Sequence, residues 1–507
     1  MSSKSPQTEL LDRRFSFSGW TLLLVFTLSV AFLVRVWEIA SIPAALHPDE
    51  LAGVVGMLDE ISHRAPLRAF FDFRIMYLPL YGACEYLMTF VFGFTAAAYR
   101  FPAVAFGVLT VFFTAALAQR LTSDRLAGAI AGATAAILPW EIVVSRVGWE
   151  PAAMLPFLLA GLWMQRGSLQ TGSTRTALCA GALFGIGSYS YRAALPTQAV
   201  LALALTVCFW KEARASWRAL SCGLGVWIAI LAPFALSVWS DPDFFWRDRR
   251  ISTFAHGLEP RSAATFARNY LAHFDFGALF LHGDGNPDHG PHAGILYLWM
   301  LPFVVLGAIA VWRRYGVATG SFLFVWLVLY PIGGAVTNDG VPHFLRTLSG
   351  APLACIFAAI GLSAAWTALS QERLSAYRNT LAALFAIVAI AEFSAFARAY
   401  FIDYIPVSAN AYQFQNRELF AVVRSYEKTA ARACFDDLNG MNSLTLFGYY
   451  LRSTSLRLYE RPSPDCSLPR TLTITSDAAR RPARSRLVAT VSKYNGEPAD
   501  YIYLTNF

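Results

Sequence analysis

Two adjacent acidic residues, Asp49 and Glu50, lie in the stretch "ALHPDELAGVV", which directly follows the first long apolar run of the chain. A carboxylate at a membrane surface can accept a proton from a hydroxyl group or bind a metal ion. The same pair can instead stabilise the start of a helix. Pro48 suits the first helical position, and acids favour the positive N-terminal end. Both interpretations stay open until the other charged residues are considered.

Arginines and tyrosines recur at later junctions between apolar runs and polar loops. Guanidinium groups pair with two phosphate oxygens at once, which makes these arginines candidates for binding a phosphate-bearing ligand. The alternatives are arginines that extend to the membrane interface and tyrosines of an aromatic belt. The candidate phosphate-binding residues are Arg146, Tyr189, Arg192, Arg249 and Arg346, and Glu150 in "SRVGWEP" is a candidate second acid.

The segment "LFLHGDGNPDHGPHAG" contains histidines and acids with the chemistry of metal ligands. The candidate ligands are His282, Asp284 and His289, although their spacing matches no specific metal motif. Asp, Asn, Gly and Pro are also the residues that form tight turns. A divalent metal ion is therefore one open alternative for this loop, and no cofactor is certain from the sequence.

The composition indicates which elements carry these residues. The chain has 507 residues, of which 56% are hydrophobic and 15% charged, against about 25% charged in a typical soluble protein. Apolar runs long enough to cross the hydrocarbon layer recur along the sequence. We predict a polytopic α-helical membrane protein with about eleven transmembrane helices. The predicted spans are 19–40, 97–119, 126–144, 151–165, 176–190, 193–210, 219–239, 293–312, 317–336, 351–369 and 379–399.

The distribution of charge predicts which side each loop faces. With residues 1–18 in the cytoplasm, the loops on that side are short and basic, as the positive-inside rule requires. Residues 75–92 then form a helix at the outer interface, because a full crossing there would invert every later loop. The first outer loop 41–96 and the long outer loop 240–292 contain most of the candidate residues. We therefore predict a multi-pass protein of the cytoplasmic (inner) membrane, with a site facing the periplasm or exterior.

The basic residues also indicate the partners of the chain. The formal net charge is +8, and the basic residues are scattered through short loops. This pattern fits membrane lipids as partners and not nucleic acid.

Residues 401–507 are polar and contain no further predicted span. Short alternating stretches predict strands, so we expect a small α/β extracytoplasmic domain here. The stretches are "SLTLFGYYLR", "RTLTITS" and "RLVATVSKY". Cys434 and Cys466 are the cysteines outside the apolar runs, and they are either paired in a disulfide or free.

The order of these motifs resembles the GT-C membrane glycosyltransferases, in particular the protein O-mannosyltransferase and lipid A aminoarabinose transferase families (bacterial glycosyltransferase family 39/83 type). The motifs are the acidic pair after the first span, "YSYR", an arginine-rich segment leading to "GDGNPDH", and "PHFLR". The resemblance implies a GT-C catalytic module over residues 19–400. It also implies a polyprenyl-phosphate sugar donor and a protein, lipid or glycan acceptor. It places the catalytic acid at Asp49, with Glu50 beside it, and Glu150 nearest to the family's second acidic position.

The residues fit that reaction on chemical grounds as well. A sugar on a lipid phosphate already carries a good leaving group. The enzyme therefore needs a base for the acceptor hydroxyl and positive charge for the departing phosphate. We expect Asp49 to accept the proton in a single inverting displacement. Glu50 would orient Asp49 or hold a metal ion.

The alternative function is a polytopic transporter or a lipid flippase for a phosphate-bearing lipid. Such proteins carry important charges near the middle of their spans. Here the charged residues within the predicted spans, such as Arg35, Glu38 and Glu141, lie at the outer ends. This distribution favours an enzyme.

Overall fold

The computed structural model describes residues 17–62, 79–240, 245–371, 375–436, 450–451, 454–461 and 463–505. Within them, a large helical module precedes a small sheet domain. The helices are α1 (Phe17–Val36), α2 (Pro48–Ser62), α3 (Pro79–Phe92), α4 (Ala96–Thr122), α5 (Arg125–Ile137), α6 (Pro139–Val144), α7 (Pro151–Thr171), α8 (Thr174–Gly187), α9 (Ala194–Cys208), α10 (Trp210–Ala215), α11 (Trp217–Ser240), α12 (Trp246–Ile251), α13 (Pro260–Ala272), α14 (Met300–Leu329), α15 (Ile332–Ala335), α16 (Gly350–Leu369), α17 (Ser375–Arg398), α18 (Tyr404–Ala411) and α19 (Asn416–Ser425).

Among the described residues, 6 helical segments are long and apolar enough to cross a membrane. Shorter apolar helices, α5 and α9, accompany them. The predicted number of about eleven spans is therefore not confirmed. The last segment continues to Ala411, so the predicted boundary between residues 400 and 401 falls within continuous helix. The six segments are Gly19–Val36, Ala96–Thr122, Trp217–Ser240, Met300–Ala335, Gly350–Leu369 and Ala376–Ala411.

Gly316 interrupts α14 with a non-helical backbone, at φ 83° and ψ 169°. The Trp312 ring lies 2.7 Å from the position that a Cβ atom would take on Gly320. In an unbroken helix, residues eight apart are separated by about 12 Å. The chain must therefore turn back at Gly316, which is where the predicted spans 293–312 and 317–336 meet.

The first outer loop forms α2 and α3, and neither helix is among the six candidate spans. Their backbones touch, because a Cβ atom on Gly82 would lie 2.7 Å from the carbonyl oxygen of Gly53. A side chain at either glycine would push the two helices apart. This contact fixes the helix that begins with the acidic pair. Residues 75–78 of the predicted interfacial helix lie outside the described residues.

The predicted C-terminal α/β domain contains a five-stranded mixed sheet. Strand β1 pairs in parallel with β2 and β3, while β5 is antiparallel to β3 and β4. "RTLTITS" and "RLVATVSKY" contain β3 and β4, whereas most of "SLTLFGYYLR" lies outside the described residues. A disulfide joins Cys434 to Cys466. The strands are β1 (Arg432–Phe435), β2 (Arg457–Glu460), β3 (Thr471–Thr475), β4 (Ser485–Ser492) and β5 (Pro498–Thr505).

The sheet domain packs directly on α2. Leu51 and Val54 are fully buried in one apolar core with Leu419 and Phe420 of α19 and with residues of the sheet. Burial of a leucine side chain contributes about 1.5–3 kcal/mol. The helix that carries the acidic pair is therefore held between the membrane module and the sheet domain.

Candidate active site

A cleft of about 570 Å³ lies where several predicted outer loops meet. Its walls come from the segment before α2, from the starts of α7 and α9, from α12, from the "GDGNPDH" loop and from the segment between α15 and α16. The lining side chains include His47, Asp49, Trp149, Glu150, Tyr191, Arg192, Asp248, Asp284, Asp288, His289, Thr337, Asp339, His343 and Arg346.

Asp49 borders this cleft, and 47% of its side chain is exposed. Its backbone N–H donates to Nδ1 of His47 at 3.2 Å. The ring of His47 is itself fixed by edge-to-face contacts with Trp149 and Tyr412, whose ring centroids lie 5.6 and 5.3 Å away. The acid at the helix start is thus held through its backbone, with its carboxylate at the cleft wall.

Glu50 points away from the cleft and is fully buried. Its Oε1 accepts from Nε of Arg100 and from the backbone N–H of Gly148, both at 2.8 Å. Its Oε2 accepts from the backbone N–H of His47 at 2.8 Å. A carboxylate buried in this way does not fit the predicted role of Glu50 in contact with reactants or a metal ion. Instead, Glu50 joins the segments that carry Asp49 and Trp149.

Arg192 and Arg346 both line the cleft, and each is held by an aspartate. Arg192 forms an ion pair with Asp248. Arg346 donates to Asp339 at 2.9 Å and to the Thr337 hydroxyl at 2.6 Å. The cleft therefore presents two guanidinium groups whose charge is balanced locally by carboxylates.

The structure does not bring Arg146, Tyr189 or Arg249 into the cleft. Arg146 is buried and donates to the carbonyl groups of Val34, Arg35 and Ile42 at 2.8–3.2 Å. The first two of these carbonyls belong to the C-terminal end of α1, where a cation is favourable.

Two further predicted phosphate ligands also lie outside the cleft lining. The Tyr189 hydroxyl donates to the carbonyl of Ile230 at 2.6 Å. Arg249 is exposed on α12. Of the predicted phosphate ligands, the cleft retains Arg192 and Arg346.

The predicted metal ligands do not gather around one point. Nδ1 of His289 lies 2.6 Å from Oδ2 of Asp284 in the cleft wall. His282 instead stacks on His292 in an adjacent small cavity, with ring centroids 5.6 Å apart. In the part of the chain that the structure describes, no group of three or more His, Cys, Asp or Glu residues is arranged to hold a metal ion.

Two histidines, the fully buried His273 and the partly buried His343, support the segment that carries Arg346. Burial, assisted by the charge of Arg346, lowers the pKa of His343 to about 2. Burial also lowers the pKa of His273. Nε2 of His273 accepts from the backbone N–H of His343 at 3.1 Å, while its Nδ1 faces the carbonyl of Asn269 at 2.8 Å. Because a carbonyl can only accept, His273 is neutral with its proton on Nδ1.

We expect this arrangement to make the protein sensitive to acid. Histidines of the unfolded chain bind protons below about pH 6.5, whereas His343 remains neutral in the folded state. The free energy of unfolding therefore decreases as the pH falls from about 6.5 towards 2. The loss from His343 is about 1 kcal/mol between pH 6.5 and pH 5.5. His343→Gln should flatten this pH dependence in thermal unfolding, whereas His256→Gln, at an exposed position, should not. Equal slopes for His343→Gln and wild type would contradict the assignment.

Arg100, which was not among the predicted site residues, donates to Glu50 and to the carbonyls of Ile39 and Pro43. A signal was present in "AAAYRFPAVAF", because a charge inside a span requires a partner. Asp248 was missed as well. It lies among the basic residues of α12, so the composition of that segment does not indicate a role for its negative charge.

Comparison with known proteins agrees with this architecture. A family model described as "Dolichyl-phosphate-mannose-protein mannosyltransferase" matches residues 79–239. ArnT from Cupriavidus metallidurans bound to undecaprenyl phosphate has a TM-score of 0.60 at 13% identity, over 96% of this chain and 98% of that chain. Its apo state gives a TM-score of 0.59 at 13% identity, with the same coverage of both chains. No curated protein sequence matches the chain.

A third similar structure is the archaeal oligosaccharyltransferase AglB from Archaeoglobus fulgidus, in complex with an inhibitory peptide and a dolichol-phosphate. The TM-score is 0.52 at 14% identity, and the match covers 87% of this chain but only 64% of AglB. The family model spans less than a third of the chain, and the similar structures, at 13–14% identity, show that the chain shares their fold.

Proposed function

We propose that the chain transfers a sugar from a polyprenyl-phosphate donor to an acceptor hydroxyl on the extracytoplasmic side of the cytoplasmic membrane. The observation that carries the proposal is one cleft containing the exposed acid Asp49 together with Arg192 and Arg346. The phosphate-bearing lipids bound by ArnT and AglB support a donor of this class. The acceptor is a protein, a lipid or a glycan.

The chemistry requires one base and one site for a phosphate. The Asp49 carboxylate accepts the proton of the acceptor hydroxyl while that oxygen attacks the anomeric carbon of the sugar. The bond from the anomeric carbon to the phosphate oxygen breaks, and polyprenyl phosphate leaves with the electron pair. The guanidinium groups of Arg192 and Arg346 stabilise the charge that develops on the phosphate. Attack opposite the leaving group inverts the anomeric configuration.

Asp248 and Asp339 hold the arginines until the donor arrives. Each guanidinium must exchange its aspartate for phosphate oxygens, or share its N–H donors between the two. Glu150, Asp284, Asp288 and His289 line the same cleft and offer acceptors for sugar hydroxyl groups.

The disulfide supports an extracytoplasmic position of the site. Paired cysteines persist in oxidising compartments and are rare in the cytoplasm. The sheet domain with Cys434 and Cys466 packs on α2 beside Asp49. Arg120 and Arg125 lie near the other end of α4, as the positive-inside rule requires for a cytoplasmic loop.

Binding of the leaving group tests the proposal. We expect Arg346→Gln to weaken binding of polyprenyl phosphate about 10-fold, because a charge-assisted hydrogen bond contributes about 1.5–3 kcal/mol. Asp339→Asn removes the competing carboxylate and should leave binding unchanged or tighten it. The full chain in nanodiscs would be titrated with polyprenyl phosphate, and its release from polyprenyl-phosphate sugars measured in parallel.

Arg313→Gln is the matched control, because Arg313 is exposed and outside the cleft lining. It should bind polyprenyl phosphate as wild type does. Equal affinities for Arg346→Gln and wild type would remove Arg346 from the phosphate site. If no polyprenyl phosphate is released from any donor tested, the proposed reaction is wrong.

A further inference from the structure

A second large cavity lies at the opposite end of the helical module. It is a groove of about 760 Å³ bordered by α1, α4 and α5, by the C-terminal parts of α7 and α16, and by Arg314 beside the Gly316 turn of α14. Arg120 lies in it, twenty residues along α4 from Arg100, whose side chain binds Glu50. At 1.5 Å per residue, the groove is about 30 Å from the level of the cleft. It therefore faces the other side of the membrane.

The groove is strongly basic. Arg120, Arg125 and Arg314 line it together with one acid, Asp124. None of the ion pairs within the described residues includes Arg120 or Arg314. Each donates one N–H to a protein acceptor. Arg120 donates to the Trp163 carbonyl at 2.6 Å, and Arg314 donates to the Thr367 hydroxyl at 3.3 Å. A guanidinium has five N–H groups, so most of their donors remain available to a ligand.

Three arginines against one aspartate leave the groove with a net positive charge. Oδ1 of Asp124 caps α5 by accepting from the backbone N–H groups of Leu126 and Ala127. Its Oδ2 accepts from the hydroxyls of Tyr315 and Ser363, at 2.8 and 3.0 Å. Both oxygens are thus occupied by neutral donors.

Apolar residues form one wall of the groove. Leu23 and Leu24 of α1 and Ala129 of α5 form part of its wall. Helix α1 exposes Leu22 and Phe26, at 70% and 66% of their surface, as expected for a helix that contacts lipid chains. The groove therefore combines a cationic end with an apolar wall next to the bilayer.

We propose that this groove binds an anionic phospholipid of the leaflet opposite the cleft. Its phosphate contacts Arg120 and Arg314, and the adjoining hydrocarbon packs along α1. Basic pockets between transmembrane helices bind lipid headgroups through such contacts. The lipid attaches α1, which is mostly exposed, to α4 and α14. This inference does not depend on the proposed sugar transfer.

Lipid retention provides the test. The full chain would be placed in nanodiscs of phosphatidylcholine with a minority of phosphatidylglycerol, and the lipids retained after extraction would be counted by native mass spectrometry. We expect wild type to retain phosphatidylglycerol selectively. Arg120→Gln/Arg314→Gln should lower this retention about 10-fold or more, because two charged contacts are lost. Arg314→Gln alone, at an exposed side chain, should show a smaller loss without a change in folding.

Arg218→Gln/Arg313→Gln is the matched control, since it removes the same charge from exposed residues outside the groove. It should retain phosphatidylglycerol as wild type does. Equal retention by the two double variants would overturn the proposal. Binding of inorganic phosphate as strong as that of phosphatidylglycerol would overturn it as well, because the occupant would then be a free phosphate. Neither readout involves sugar transfer, so failure here is distinguishable from failure of the proposed function.

Discussion

Asp49→Asn is expected to lower sugar transfer by about 10²–10⁴-fold while leaving the binding of polyprenyl phosphate unchanged. An amide cannot accept the proton of the acceptor hydroxyl, but it has nearly the shape of the carboxylate. The backbone N–H of residue 49 still donates to His47, so the helix start keeps its position. The rate should be measured as polyprenyl phosphate released by purified protein, and binding by titration of the same sample.

Two further variants make this result specific to Asp49. Asp403→Asn alters an exposed aspartate outside the cleft lining, 3.6 Å from Arg398, and should transfer sugar at the wild-type rate. Glu150→Gln alters the other candidate acid of the cleft, which is partly buried. Unchanged turnover by Asp49→Asn would contradict the assignment of Asp49 as the base. If only Glu150→Gln were inactive, the base would be Glu150.

Glu50→Gln is expected to destabilise the protein by about 3–5 kcal/mol, the cost of leaving a buried charge without its partner. The Arg100 guanidinium is fully buried, and Glu50 is its ion-pair partner at 2.8 Å. Arg100→Gln should be similarly destabilising, because it leaves the Glu50 carboxylate buried. Thermal and denaturant unfolding in detergent would measure both effects.

A double-mutant cycle separates the ion pair from simple packing. Glu50→Met/Arg100→Met removes both charges, so it should cost less than the sum of the single replacements. The exposed pair Arg398 and Asp403 is the control, and its loss should change stability by about 0–1 kcal/mol. Additive effects at Glu50 and Arg100 would argue against a coupled pair.

The same double variant tests the positioning role of Glu50. It removes the acceptor for the backbone N–H groups of His47 and Gly148. Turnover should therefore fall even where the protein folds, while polyprenyl phosphate still binds. Wild-type turnover in a folded double variant would show that Glu50 serves stability alone.

The sequence predicted the class of fold and the loops that form the cleft. Span ends can be predicted from local hydropathy and charge, and they bring Asp49, Glu150, Arg192 and Arg346 to one side of the module. The C-terminal strands were predictable for a similar reason, because the alternation in β3 and β4 is local. These predictions depend on residues close together in the sequence.

The direction of each side chain was not predictable, because it depends on partners far along the chain. Arg192 pairs with Asp248, 56 residues away, and Arg146 reaches carbonyl groups more than 100 residues earlier. Within the acidic pair, the helix turns one carboxylate to the cleft and the other to Arg100. No local pattern distinguishes the two. The number of spans was also uncertain, because helices such as α5 and α9 are apolar but short.

Helix α2 belongs to two cores at once. Leu51 and Val54 pack with the sheet domain, while Glu50, on the same helix, is tied to Arg100 in the membrane module. The sheet domain is therefore not an independent attachment that can be exchanged at a linker. A chimera that imports this domain from a relative must import the matching face of α2 as well, or the mismatch will displace Asp49. The sheet domain and the position of Asp49 are for this reason expected to be inherited as one unit.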